Sequence, residues 1–159
     1  MNANEAISHA LAMYDLKLVT HEQVVAWADA QILSCERPDL LLFDLSLEGP
    51  ERCLRMPESE FPAKPLRLTY AQAFSAKALS LPLEDDLAVL DFAGWAAAKC
   101  MGRALDDAFV QFGYLLDDLL EDPERAPGAI DFLRERLPDM LAECRRIWPH
   151  RLDTLRIEG

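Results

Sequence analysis

Most of the signals that announce a chemistry are absent from these 159 residues. The six glycines, at 49, 94, 102, 113, 128 and 159, are scattered, so no Gly-rich loop exists to cradle a phosphate. The four cysteines, Cys35, Cys53, Cys100 and Cys144, are separated by 18, 47 and 44 residues, without a CxxC pair or a histidine at ligand spacing. That excludes a recognisable zinc motif or disulfide framework, and the expectation is four reduced thiols serving mainly as small apolar core residues. His9, His21 and His150 lie far apart in sequence, and no Ser or Cys shows a nearby His–acid context. No apolar run of about 18 residues occurs, so a transmembrane helix is not expected. The first residues, MNANEAISHALAMYDLKLV, place Glu5 and Asp15 where a secretory signal would carry basic charge, and a cytoplasmic protein is the expectation.

Bases are scarce where acids gather. Of the net charge of −12, residues 81–122 hold ten acids against Lys99 and Arg103, whereas residues 123–159 balance seven acids with seven arginines. A field of this sign repels nucleic acid and anionic membrane and attracts a basic surface, although acidity also serves plain solubility. With 51% hydrophobic and 28% charged residues the composition is that of a globular chain, and the length suits one domain with a real core.

What is present is helical periodicity. Ala6, Ile7, Ala10, Leu11 and Tyr14 define a first helix over about 4–16. Thr20 and Gln23 form a capping box opening a second helix to about Ser34, with Trp27 as a core anchor. Pro38 suits the first turn of a short third helix, PDLLLFDLSL, whose Leu-rich run reads as buried and ends at Gly49-Pro50. Pro50, Pro57, Pro62 and Pro65 make 50–68 an irregular crossing, either a plain connector or a recognition loop. Thr69 and Gln72 cap a helix to about Leu79.

The longest pattern runs from Pro82 to Asp122. Glu84, Asp85 and Asp86 complement the positive end of a helix dipole. Leu87, Leu90, Gly94, Ala97, Ala98 and Met101 are expected to face the core, and the small residues of 93–98 to let neighbouring helices approach. Gly102 marks a break, with the next helix starting near Ala104, unless one helix runs through. Beyond Pro127-Gly128, Pro138 divides the last pattern into about 128–137 and 138–148, and the remaining tail either docks or frays. The fold class is all-α: a single-domain bundle of six to eight helices with a proline-rich crossing.

Carboxylates at Asp117, Asp118, Glu121 and Asp122 resemble the aspartate-rich magnesium motif of isoprenoid synthases, but no second acidic helix or basic diphosphate cluster accompanies them. Asp118-x-x-Glu121 is likewise half of the paired acidic motif of helical nucleotide pyrophosphatases, its counterpart missing. No catalytic residue, metal ligand or cofactor is therefore assigned. The candidate site is a partner-binding surface: the stripe Asp107, Gln111, Tyr114, Asp118, Glu121 and Asp122, with Asp91 and Trp95 one helix earlier. An aromatic anchor with carboxylates suits a basic protein.

The run Thr20-x-x-Gln-Val-Val-x-Trp27-Ala-Asp29, followed by Ile32, Pro38 and Leu42 through Leu47, resembles small bacterial immunity proteins paired with polymorphic or contact-delivered toxins. The resemblance spans about 30 residues of the N-terminal third. It implies binding rather than catalysis: neutralisation of a toxin, its basic active or adjacent surface occluded. A helical adaptor with a non-toxic partner is the alternative, and a small metal-dependent hydrolase a third.

Overall fold

The computed structural model describes residues 1–158. It is all-helical, and no strand occurs among the described residues. Contacts divide the chain into two units, 1–67 with 150–159 and 68–149.

In the first unit α1 (Ala3–Asp15), α2 (His21–Ser34), α3 (Leu40–Glu48) and α4 (Pro50–Arg55) pack around Ile7, Leu11, Val24, Trp27, Leu42, Leu45 and Cys53. Each start has a local cause. Asn2 and Glu5 close a reciprocal capping box at α1, with Glu5 N–H donating to Asn2 Oδ1 at 2.8 Å. Thr20 and Gln23 do the same at α2, at 3.2 and 2.8 Å. Asp39 caps α3 by accepting from Leu41 N–H at 2.9 Å. Gly49, at φ +81°, ends α3 with the His21 ring against it, so the turn into α4 requires a residue without Cβ.

The proline-rich crossing is less irregular than its prolines suggest. Pro50 sits in the first turn of α4, where its missing donor costs nothing. The rest, 56–69, carries no regular helix but is anchored: Phe61 and Ala63 are fully buried, Lys64 Nζ donates to the Met56 carbonyl at 2.6 Å, and Leu66 N–H donates to Ser8 at 3.1 Å.

The C-terminal tail docks rather than frays. Trp27 Nε1 donates to the Leu155 carbonyl at 3.2 Å, and Ile157 N–H donates to buried Gln31 Oε1 at 3.1 Å. Met1 meets the side chain of Glu158 at 3.4 Å. Trp27 thus buries its ring and satisfies its one donor through the tail.

The second unit comprises α5 (Tyr70–Leu79), α6 (Asp86–Lys99), α7 (Ala108–Glu121), α8 (Pro127–Arg136), a 3-10 turn (Leu137–Met140) and α9 (Leu141–Ile147). Thr69 and Gln72 box the start of α5. The core is aromatic: the Phe74 ring lies 5.1 Å from Phe92, 5.1 Å from Phe109 and 5.8 Å from Phe112, centroid to centroid. Edge-on and tilted packing of this kind adds about 0.5–1.5 kcal/mol per pair beyond area burial.

The aromatic cluster decides which side of α6 is inside. Val89, Phe92, Ala93, Ala96, Ala97 and Cys100 are buried, while Leu87, Gly94, Ala98 and Met101 face outward. The buried face is rotated by about a third of a turn from the leucine-based expectation, because Phe92 rather than Leu87 reaches the phenylalanine cluster. Close approach does occur, at other small residues. Ala96 of α6 opposes Gly113 of α7, where an added Cβ would lie 2.6 Å from the Tyr70 hydroxyl, 2.7 Å from Cys100 Cβ and 3.0 Å from the Ala96 carbonyl.

Candidate functional site

The residues singled out on α6 and α7 fall into two groups. Three of them hold the connection between the helices. α6 ends at Lys99, Gly102 adopts φ +73°, and α7 begins only at Ala108, so the break expected at Gly102 is an eight-residue loop, 100–107. Asp107 is the N-cap of α7, accepting from Phe109 N–H at 2.8 Å. Gln111 reaches back one turn and donates to the Leu105 carbonyl at 2.7 Å. The Tyr114 hydroxyl accepts from Gly102 N–H at 3.3 Å. Positions 107, 111 and 114 share one side of α7, and the loop lies along that side. The same spacing that marks a binding stripe therefore also builds a clamp.

Trp95 is half-buried and belongs to a layered stack. Its ring is parallel to Tyr70 at 5.9 Å and 4°, and Lys77 Nζ sits 5.1 Å from its centroid. The Arg103 guanidinium lies 5.6 Å from the Tyr70 centroid. A cation therefore lies over each of these two rings. Tyr70 donates its hydroxyl to the Ala96 carbonyl at 3.0 Å, and burial, with Cys100 and Asp107 nearby, pushes the phenol far above its ordinary range.

The second group faces water. Asp91 is exposed on α6, and Asp118, Glu121 and Asp122 are exposed at the end of α7. Asp122 is the C-cap and accepts from Glu124 N–H at 2.9 Å, and Asp118 stands 4.0 Å from Arg125. At the start of α6, Asp85 caps by accepting from Ala88 N–H at 3.1 Å, and Asp86 pairs with Arg134 at 2.6 Å. Among the described residues, Asp86 and Asp118 alone of the ten acids in 81–122 have an ion-pair partner. A carboxylate without a counter-charge keeps its long-range field, so these acids are a source of negative potential.

Asp91 also has apolar company that sequence reasoning placed in the core. Leu87, 76% exposed, lies one turn before Asp91 on the outward side of α6, with Gly94 and Ala98 further along that side, and Met101, 46% exposed, follows in the 100–107 loop. The signal was available: α6 carries apolar residues around its whole circumference, so one buried face necessarily leaves apolar residues on another. The arrangement offers burial and charge together, which suits protein recognition.

The thiols offer no comparable chemistry. Cys53, Cys100 and Cys144 are buried, and Cys35 is half-buried. Burial, reinforced by Asp44 and Glu48, pushes Cys53 up to about 11, far from a thiolate at neutral pH. No group of three or more His, Cys, Asp or Glu side chains suited to a metal ion occurs among the described residues. No helix is long and apolar enough to cross a membrane among those residues. Compared with protein families, curated proteins and solved structures, the chain matches none.

Proposed function

We propose that this chain is a non-catalytic acidic binding protein whose partner presents a basic surface, and that it acts in the manner of an immunity protein, neutralising a toxin by covering its active or adjacent surface. One observation carries the reading: the α6–α7 carboxylates are concentrated, exposed and almost without counter-charges, and the exposed Leu87 lies one helical turn from Asp91. Carboxylates steer the encounter and exposed apolar side chains such as Leu87 supply burial once the partner has arrived. The resemblance of residues 20–47 to immunity proteins favours a toxin as that partner. In the structure its signature positions are the Thr20 cap and the buried Trp27, Leu42 and Leu45.

The clamp changes which residues should be altered to test this. Replacing Asp107 or Tyr114 would loosen the 100–107 loop as well as remove a contact, whereas Asp91 and Glu121 are exposed and outside any cap. Titrating the purified chain against the product of the adjoining gene should give a one-to-one complex, weakened tenfold or more by Asp91→Lys with Glu121→Lys. A neighbouring product that neither binds nor is neutralised would remove the toxin reading. A complex indifferent to the charge reversal would remove this surface.

A further inference from the structure

The first unit carries an interaction surface of its own on α3. That helix is apolar on nearly every side, and packing covers only Leu42 and Leu45 completely. Leu40, 78% exposed, Phe43, 39% exposed, and Leu47, 82% exposed, recur at i, i+3 and i+7. That spacing sets them in one row about 10 Å long on the outer side of the helix. Isolated exposed leucines need no explanation, but three in a helical row form an anchor pattern of the kind that meets another helix.

The charges beside the row specify what could cover it. Helical spacing puts Asp44 on one flank, and Ser46 on the other, where its hydroxyl is hydrogen-bonded to the Asp29 carboxylate of α2. Neither Asp29 nor Asp44 has an ion-pair partner among the described residues, and no base occurs within α3. Glu48, on the same flank as Asp44, is answered by Arg52 at 2.8 Å. A second copy of this chain docking through the row would bring uncompensated carboxylates against one another. A helix with an apolar face edged by Lys or Arg would bury the row and neutralise both flanks.

We infer that the Leu40–Phe43–Leu47 row of α3, bordered by Asp29 and Asp44, is a docking site for a basic amphipathic helix of a protein partner. The site is independent of the α6–α7 surface. The probe is a fluorescein-labelled 18-residue synthetic helix with leucines at i, i+3, i+4 and i+7 and lysines on both edges, followed by anisotropy on the full chain. Binding should fall tenfold or more in the Leu40→Ser, Leu47→Ser double variant. Both positions are largely exposed, so its circular dichroism should match that of the parent. A glutamate-edged peptide should not bind. Asp29→Asn with Asp44→Asn should weaken the lysine peptide and reduce its salt dependence.

Asp91→Lys with Glu121→Lys should leave the peptide's affinity unchanged, which separates this inference from the proposed function. Undiminished binding by the double serine variant would overturn it, as would equal binding of the glutamate-edged peptide. Loss of peptide binding in the α6–α7 variant would place the contact there instead. A dimer by light scattering that Leu47→Ser dissolves would assign the row to self-association and overturn the inference equally.

Discussion

Gly113 shows how a single residue without a side chain can set the distance between two helices. A methyl group there would meet the Tyr70 hydroxyl, Cys100 and the backbone of α6, none of which is the free end of a flexible chain. Gly113→Ala should therefore destabilise the second unit by about 1–3 kcal/mol, despite alanine's better helix propensity. Urea unfolding checks this, and a stabilised variant would mean that α6 and α7 are not so close. His150 makes an equally specific statement in the first unit. Its ring meets His9 edge to face at 4.6 Å, and burial, then the His9 charge, lowers its pKa. The unfolded chain therefore binds a proton more readily than the folded one. The stability this contributes is complete above the ordinary histidine pKa of about 6.5 and is lost as pH falls from there through the depressed folded value. Unfolding free energies measured from pH 7.5 to 5 should decline, and His150→Gln should flatten the slope. An unchanged slope would assign the acid sensitivity elsewhere.

At the scale of elements, the 100–107 loop is held to α7 by a cap and two side-chain bonds, from Asp107, Gln111 and Tyr114. Asp107→Ala removes the cap and should cost about 1 kcal/mol. Amide hydrogen exchange should quicken across 100–110 while α5 stays protected, and uniform loss of protection would show that the loop is not a separable element. Capping boxes at Thr20 and Thr69, the stop at Gly49-Pro50 and the break at Gly102 were all legible in the sequence, because each depends on a few adjacent residues. The inward face of α6 was not. Leucines and small residues suggest one side, but Phe92 must meet Phe74, Phe109 and Phe112, and those contacts join residues far apart in the chain. For the same reason the near-continuous apolar run PDLLLFDLSL favours a helix without marking which of its sides is buried. Its composition tells nothing about which apolar residues the neighbouring helices have room to cover. The candidate site divides along the same line: the exposure of Asp91, Asp118, Glu121 and Asp122 follows from charge alone. The structural duties of Asp107, Gln111, Tyr114 and Trp95 depend on the loop and on Tyr70.

At the scale of the whole molecule, both units are acidic. Thirteen acids face eight bases in residues 1–67 with 150–159, and fifteen face eight in 68–149. Each unit also exposes apolar residues next to unpaired carboxylates, Leu87 one turn from Asp91 on α6, and Leu40 and Leu47 beside Asp44 on α3. Solubility alone would account for charge but not for this pairing of charge with exposed apolar surface. A basic partner accounts for both, and its association would be electrostatically steered. The most direct test is the rate at which the chain associates with the product of the adjoining gene, followed by stopped-flow fluorescence as salt is raised from 50 to 500 mM. Electrostatic steering requires a rate that falls steeply with salt and that Asp91→Lys with Glu121→Lys lowers most at low salt. A rate independent of salt and of that charge reversal would contradict it.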